Sequence, residues 1–454
     1  MPKRLKTFLL LLILLLLATT SGYLVYKYEK ENPVLFLDKE NVADGYTLFS
    51  PLYNTNTYLI NNEGKLVHKW ESDYPPGNSL YLLENGNLLR TALVDQDKFT
   101  RGAGGRVELI SWDGELLWEF DYNSDQHIQH HDIELLPNGN ILILAWDEKS
   151  NEEALSKGMS EEYVKEGAII TETIIEVNPE TNEIVWKWDT WDHIVQDADS
   201  EKPNYGVIEE NPRKVNINYY KYSRDIDWNH ANSVDYNEEF DQILISVREF
   251  NEIWVIDHST TTEEAMSSDG GQYGFGGDLL YRWGNLEAYN NGEEADRQLF
   301  KQHDAEWIAE GLPGAGHVTI FDNGQNNSRQ YSRALEISLP VNEEGVYEIE
   351  GNKFADAEII WQYGEEEDDR FYSYFISGTQ RLRNGNTLIT NGADGIFFEV
   401  DSDKNIVWKY ANPIDSYSEE REEYVKFVFR ADKYPSDYPA FDDKDLSSMG
   451  RLSN

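Results

Sequence analysis

The sequence predicts an all-β fold, a six-bladed β-propeller of four-stranded blades, and three observations carry that expectation. Six stretches repeat one pattern: TYLINNEGKLVHKW (57–70), VELISWDGELLWEF (107–120), IIEVNPETNEIVWKW (174–188), IWVIDHS…GDLLYRW (253–283), ALEIS…AEIIWQY (334–363) and FFEVDSDKNIVWKY (397–410). A second repeat interleaves with it, an Asn-Gly-Asn turn between apolar strands in LLENGNLLRTA (82–92), LLPNGNILILA (135–145) and RLRNGNTLITN (381–391). The third observation is an apolar segment near the C-terminus, YVKFVFRA (424–431), which can pair around DGYTLFSP (44–51) and close a ring.

Each aromatic repeat is an alternating strand, a polar turn and a second strand ending in a large-ring pair such as Trp186/Trp188 or Trp408/Tyr410. Hairpin units recurring at intervals of roughly 40–50 residues mark propeller blades. Asn-Gly supplies the positive φ angles that a tight hairpin needs. Two degenerate relatives, SVDYNEEFDQILISV (233–247) and GLPGAGHVTIFDN (311–323), fill the gaps between later aromatic hairpins. One hairpin of each kind makes one blade. Ring closure removes the unpaired strand edges that invite aggregation. The aromatic pairs read as packing between blades.

Residues 8–26 are almost uncharged and long enough to cross a bilayer as a helix. Lys3, Arg4 and Lys6 precede them, which places that end in the cytoplasm and the rest outside, at a cell surface or in a periplasm. A cleaved signal peptide is the alternative, and it would release a secreted protein. The apolar run continues through Tyr23, Leu24, Val25 and Tyr26, which favours an uncleaved anchor. The expected organisation is a basic tail over 1–7, a signal anchor or signal peptide over 8–28, a linker over 29–43, the propeller over 44–439 and a C-terminal tail over 440–454. Segments 149–165, 197–224 and 259–277 read as rim insertions, the first of them helical.

The chain of 454 residues carries 84 acidic and 39 basic side chains, a formal charge of −45, and no cysteine. Such a field repels nucleic acid. It also means that a site for an anion must build local positive charge against the whole. Thiolate catalysis and cysteine-ligated zinc are excluded by composition. Acid runs such as 365–369 read as solvated loops.

Nine histidines occur, and several sit at matching places in the repeat. His130 and His131 stand in HHDIELLPNGN, His230 in DWNHANSVDYN and His303 in KQHDAEW, each leading the first hairpin of its blade. That end of an inner strand faces the central channel, so the three blades bring their histidines together. A concave site with convergent polar groups is the usual place for function. In an alternating strand His130 and His131 point to opposite faces, so no metal site is expected at 127–132. His68, His193, His258 and His317 lack the pattern and read as structural or surface residues. Arginines near the same strand ends are Arg248, Arg329, Arg333, Arg381 and Arg430, and a guanidinium fork suits a tetrahedral oxyanion. No nucleophile elbow, phosphate-binding glycine loop or zinc-protease motif is present, and no cofactor is expected.

These segments resemble the bacterial arylsulfate sulfotransferase family over residues 45–439. HHDIELLPNGN (130–140), DWNHANSVDYN (227–237), QHDAEW (302–307), TIFDNG (319–324), YSRALEI (331–337) and RLRNGNTLITNGADGIFFEV…IVWKYANP (381–413) carry the likeness. The resemblance implies a six-bladed propeller outside the cytoplasm. It also implies transfer of a sulfuryl group from an aryl sulfate ester to a phenol, without a nucleotide donor and through a sulfated histidine. By motif His230 and His303 match catalytic histidines, and Arg329, with Arg333 as fallback, matches the sulfate-binding arginine; His130 and His131 join them as substrate-binding residues. The nucleophilic histidine that the resemblance places in the last blade, within the strand matching GADGIFFEV (392–400), is absent here, where Ile396 or a neighbour stands and no histidine follows His317. Another histidine, His303 or His230, is then sulfated, or the chain is a non-catalytic membrane-anchored propeller that binds an anionic aromatic ligand or a protein partner. A quinone-dependent dehydrogenase, which would resemble an eight-bladed propeller with metal ligands, is disfavoured.

Overall fold

The computed structural model describes residues 32–453 apart from 97, 100, 165–167, 220–226, 366 and 368–369. The segments expected as basic tail and anchor, 1–7 and 8–28, lie outside the described residues. Among the described residues no helix is long and apolar enough to cross a membrane.

Six antiparallel sheets follow one another along the chain and form the blades of a ring. The second blade runs Pro76–Leu82, Leu88–Leu93, Gly105–Ile110 and Leu116–Asp121 from the channel outwards. The third is His127–Leu135, Ile141–Ser150, Ala168–Asn178 and Glu183–Asp189. The fourth is Ala231–Asn237, Gln242–Val247, Glu252–Asp257 and Tyr281–Trp283. The fifth is His303–Trp307, Val318–Asp322, Arg333–Ser338 and Glu358–Tyr363, and the sixth is Gly378–Arg381, Thr387–Asn391, Ile396–Val400 and Ile406–Ala411.

The first blade closes the ring. Tyr46–Pro51, Asn56–Asn61 and Lys65–Glu71 come from the start of the domain, while its inner strand Val428–Tyr434 comes from the end. Tyr46 faces Tyr434 and Leu48 faces Asp432 across that junction, as the closing-strand expectation required. Two edge strands come from the segments read as linker and tail. Val34–Leu37 adds to the sixth blade and Gly450–Arg451 to the first.

The aromatic pairs pack between blades, and their polar edges tie each blade to the next. The indole N–H of Trp70 donates to the Ser111 carbonyl at 3.2 Å, that of Trp118 to Asn182 Oδ1 at 2.7 Å, and that of Trp188 to the Gly277 carbonyl at 2.8 Å. Trp408 donates to the Asn62 carbonyl at 2.9 Å and so joins the last blade to the first. A buried indole is stabilised by such a partner, and for these four it lies on the neighbouring blade.

The four histidines read as structural find partners as well. His68 stacks on Trp112, His193 bonds Asp278 and Ala265, His258 bridges Asp241 to Glu176, and His317 bonds Glu336.

The inner strands share a defect that positions the site. Pairing slips between Pro76 and Leu80, between Ile143 and Ala145 opposite His131, between Ala231 and Ser233, and between His303 and Glu306. Beside each slip stands a non-glycine residue with positive φ: Asn78 at 119°, His131 at 45°, His230 at 55° and Asp304 at 55°. A bulge with one left-handed residue bends the strand and re-aims its side chains.

Candidate active site at the channel mouth

The expectation that His130 and His131 point apart is corrected by that bulge. With His131 in the left-handed region the alternation is broken, and the two Nδ1 atoms lie 2.9 Å apart. Behind them Glu172 Oε2 meets His130 Nε2 at 2.8 Å, while Glu172 Oε1 accepts from Trp146 Nε1 and the Ala231 amide. A carboxylate only accepts, so His130 carries its proton on Nε2 and presents a lone pair at Nδ1. His131 must then donate from Nδ1, which leaves its Nε2 with a lone pair. These tautomers are assigned from the hydrogen-bond network.

The same result is reached by different means in the next two blades. Asp227 Oδ2 makes a short contact with His230 Nδ1. In the fifth blade His303 Nδ1 faces two acceptors, Asn323 Oδ1 at 2.7 Å and the Lys301 carbonyl at 3.1 Å. Asn323 is held in that orientation because its amide donates to the Ser373 and Ile376 carbonyls at 2.8 Å each. All three imidazoles therefore have Nδ1 occupied, and among the described residues none has a partner at Nε2. The rings of His131 and His230 lie 4.8 Å apart, and Trp146 stacks against His130 at 4.1 Å.

Burial and mutual proximity set their charge. Desolvation first, and then His230, His130, His303 and Arg248, hold the His131 imidazole well below its usual value. Desolvation and then Arg248 do the same to His303. Both are neutral at physiological pH. His230 is the most open of the three, with its side chain 12% exposed, against 4% for residue His131 and 2% for residue His303. Gly102 fits against the His131 ring so closely that an added Cβ would stand 2.0 Å from Cε1.

The two arginines matched by motif share one acceptor. Arg329 donates to Asp322 Oδ2 at 2.6 Å, and Arg333 to the same oxygen at 2.7 Å. Both are thus committed to one buried carboxylate, and neither bonds a histidine. Arg381 pairs with Glu336. Arg430 lies along the channel below the histidines, where it bonds Asp132, Asp304 and Glu306 at 2.9, 2.7 and 3.0 Å and also reaches Tyr81. Asp132 in turn accepts from the Val234 amide and Asp304 from the Thr379 amide, so this hub joins all six blades.

Sequence reasoning missed Glu172, Asp227 and Asn323, the residues that orient the imidazoles. Only Asp227 left a trace, three residues ahead of His230 in DWNH. Among the described residues no group of three or more potential ligands could hold a metal ion.

The fold and the site together define a six-bladed propeller whose channel mouth is lined by histidines from three blades. The sequence pattern of the Arylsulfotransferase (ASST) family matches residues 34–434, most of the chain, and the protein belongs to that family.

No functionally curated protein matches the sequence. Among solved structures, a protein of unknown function from Bacteroides caccae is 12% identical over 86% of this chain and 98% of that chain, with a TM-score of 0.45. Virginiamycin B lyase from Staphylococcus aureus is 10% identical over 85% of this chain and 89% of that one, with a TM-score of 0.37. A luciferin-regenerating enzyme is 8% identical over 87% and 94%, with a TM-score of 0.34. Likenesses this distant carry no chemistry over to the present chain.

Proposed function

We propose that the protein transfers a sulfuryl group from an aryl sulfate ester to a phenolic acceptor at the channel mouth. The observation that supports this reading is the set of three imidazoles, His131, His230 and His303, each held at Nδ1 and, among the described residues, without a partner at Nε2. Family membership points to the same chemistry.

His230 is the proposed nucleophile, because it is the most open and has a carboxylate behind it. Its Nε2 attacks sulfur, the sulfur–aryl oxygen bond breaks, and the phenolate leaves. The imidazole becomes cationic as it is sulfated, and Asp227 stabilises that charge across Nδ1–H. In the second half the acceptor hydroxyl gives its proton to a neutral imidazole, His303 or His131, while its oxygen displaces the sulfated nitrogen. Neutral bases with lone pairs facing the site suit that step.

Incubation of the purified chain with a chromogenic aryl sulfate and a free phenol tests the reading. Phenolate release should depend on His230 and His303, and mass spectrometry should find a sulfuryl group on the peptide containing His230. Saturable ligand binding with no turnover would instead favour the non-catalytic propeller, for which the isoleucine at position 396 speaks. The apolar 8–26 stretch supports a location outside the cytoplasm, anchored to the membrane, which fractionation of expressing cells would test.

A further inference from the structure

We propose that Arg248, with the carboxamide of Asn229 beside it, holds the oxygens of the transferred sulfuryl group. The proposal rests on the sulfuryl-transfer reading. Arg248 continues the strand Gln242–Val247 by one residue, and its backbone N–H donates to the His230 carbonyl at 3.1 Å. This extends the register in which Ala231 faces Val247, so Arg248 is the direct cross-strand neighbour of His230. That main-chain bond sets the two residues side by side at the head of the inner hairpin.

Among the described residues the Arg248 guanidinium also keeps donors to spare. Nη1 is fixed by a short contact to Glu249, and among the described residues Nε and Nη2 have no partner. Glu249 is shared with the Lys301 ammonium at 2.5 Å, so two cations stand against one carboxylate. Local positive charge is what an anion site needs in a chain of charge −45. The Arg248 charge helps to hold the His131 and His303 imidazoles below their usual value.

Asn229 supplies a second, independent sign. It is fully buried beside His230, and among the described residues neither its side-chain Nδ2 nor its Oδ1 finds a hydrogen bond. A buried carboxamide with both ends unmatched is costly unless a bound group satisfies it. The oxygens of a sulfate ester would accept from that amide while the Arg248 fork takes the others.

The test compares the purified full-length chain with Arg248→Lys, Arg248→Ala, Asn229→Ala and Arg329→Ala. It measures kcat and KM for the aryl sulfate, and binding of inorganic sulfate by calorimetry. Circular dichroism and thermal melting confirm folding. Arg248→Lys keeps the charge but loses the fork, and about a 10- to 100-fold loss in kcat/KM is expected. Arg248→Ala should lose about 10³-fold and should no longer bind sulfate.

Wild-type turnover with Arg248→Ala retaining kcat/KM and sulfate affinity within threefold would overturn the proposal. Loss of sulfate binding in Arg329→Ala but not in Arg248→Ala would overturn it as well. If the wild-type chain shows no turnover, the sulfuryl-transfer reading fails and the sulfate arm still decides Arg248. Binding abolished by Arg248→Ala then supports an anion site, whereas binding that is unchanged or absent from the wild type ends the proposal.

Discussion

Asp227 and His230 form a carboxylate–imidazole pair through Oδ2 and Nδ1, three residues apart at the entry to the fourth blade. The pair fixes which imidazole nitrogen faces the channel. Asp227→Asn should preserve the fold yet favour the wrong tautomer, and a fall in kcat of about 10²- to 10⁴-fold is expected. Glu172→Gln should act in the same way on His130 and His131, with a smaller loss. Steady-state kinetics on both variants check this, and near wild-type rates in Asp227→Asn would remove His230 from the nucleophile role.

Activity should hold on the acid side of neutrality. Protonation at Nε2 removes the lone pair a base or nucleophile needs, and burial holds the His131 and His303 imidazoles well below the ordinary 6.5. The second half-reaction, in which His303 or His131 takes the acceptor proton, should therefore keep its acid limb below pH 6.5 in single-turnover kinetics. A limb centred at or above that value would mean that the buried imidazoles do not take part.

Gly102 adopts a φ of +108° and lies directly against the His131 ring. Gly102→Ala would strain the backbone and push the imidazole aside. Kinetics should show a loss of at least tenfold in kcat, and thermal melting a loss of about 1–2 kcal/mol.

Arg430→Met leaves Asp132 and Asp304 buried and uncompensated, and a loss on the order of 3–5 kcal/mol is expected by denaturant titration. The same cluster gives the protein a pH-dependent stability. Burial pushes Asp235 and Asp432 up to about 7. Unfolded carboxylates titrate near 4, so the folded state holds protons that the unfolded state has already lost. That contribution is complete below about pH 4 and is lost as the pH rises through 7. Between about pH 4.5 and 7 the melting temperature should fall, and Asp235→Asn should flatten the slope. A rising melting temperature over that window would contradict the assignment.

His258 adds a second slope at higher pH. Burial alone would depress its imidazole, but hydrogen bonds to Asp241 and Glu176 more than reverse this and push it up to about 9. The bridge ties the third blade to the fourth. Its contribution is full below about pH 6.5 and disappears as pH passes 9, on the order of 1–3 kcal/mol given the partial exposure of Asp241. His258→Gln should lower stability at pH 6 and leave it nearly unchanged at pH 10.

Much of the fold was legible because its cues are local. Asn138-Gly139-Asn140 makes a hairpin by its own dihedral preferences, and Trp186/Trp188 mark an outer strand by period and size. Repetition of such cues implied the blade count, and the apolar segment 424–431 implied a closing strand, which the structure forms with Tyr46 opposite Tyr434.

The histidine trio was visible for the same reason, since His131, His230 and His303 lead equivalent hairpins. Their partners were not visible. Glu172 looked like one more polar residue in a strand, and Asn323 like part of an Asp-Asn-Gly turn. Arg329 looked available because nothing in the sequence shows that Asp322 holds it.

The linear sequence determined the architecture of this protein and which residue types gather at the channel mouth, because strand period, turn chemistry and repeat spacing act within a few residues. Only the tertiary structure decided which nitrogen each imidazole presents and which arginine keeps donors to spare. Those outcomes depend on bulges that reverse side-chain direction, and on contacts between residues dozens of positions apart.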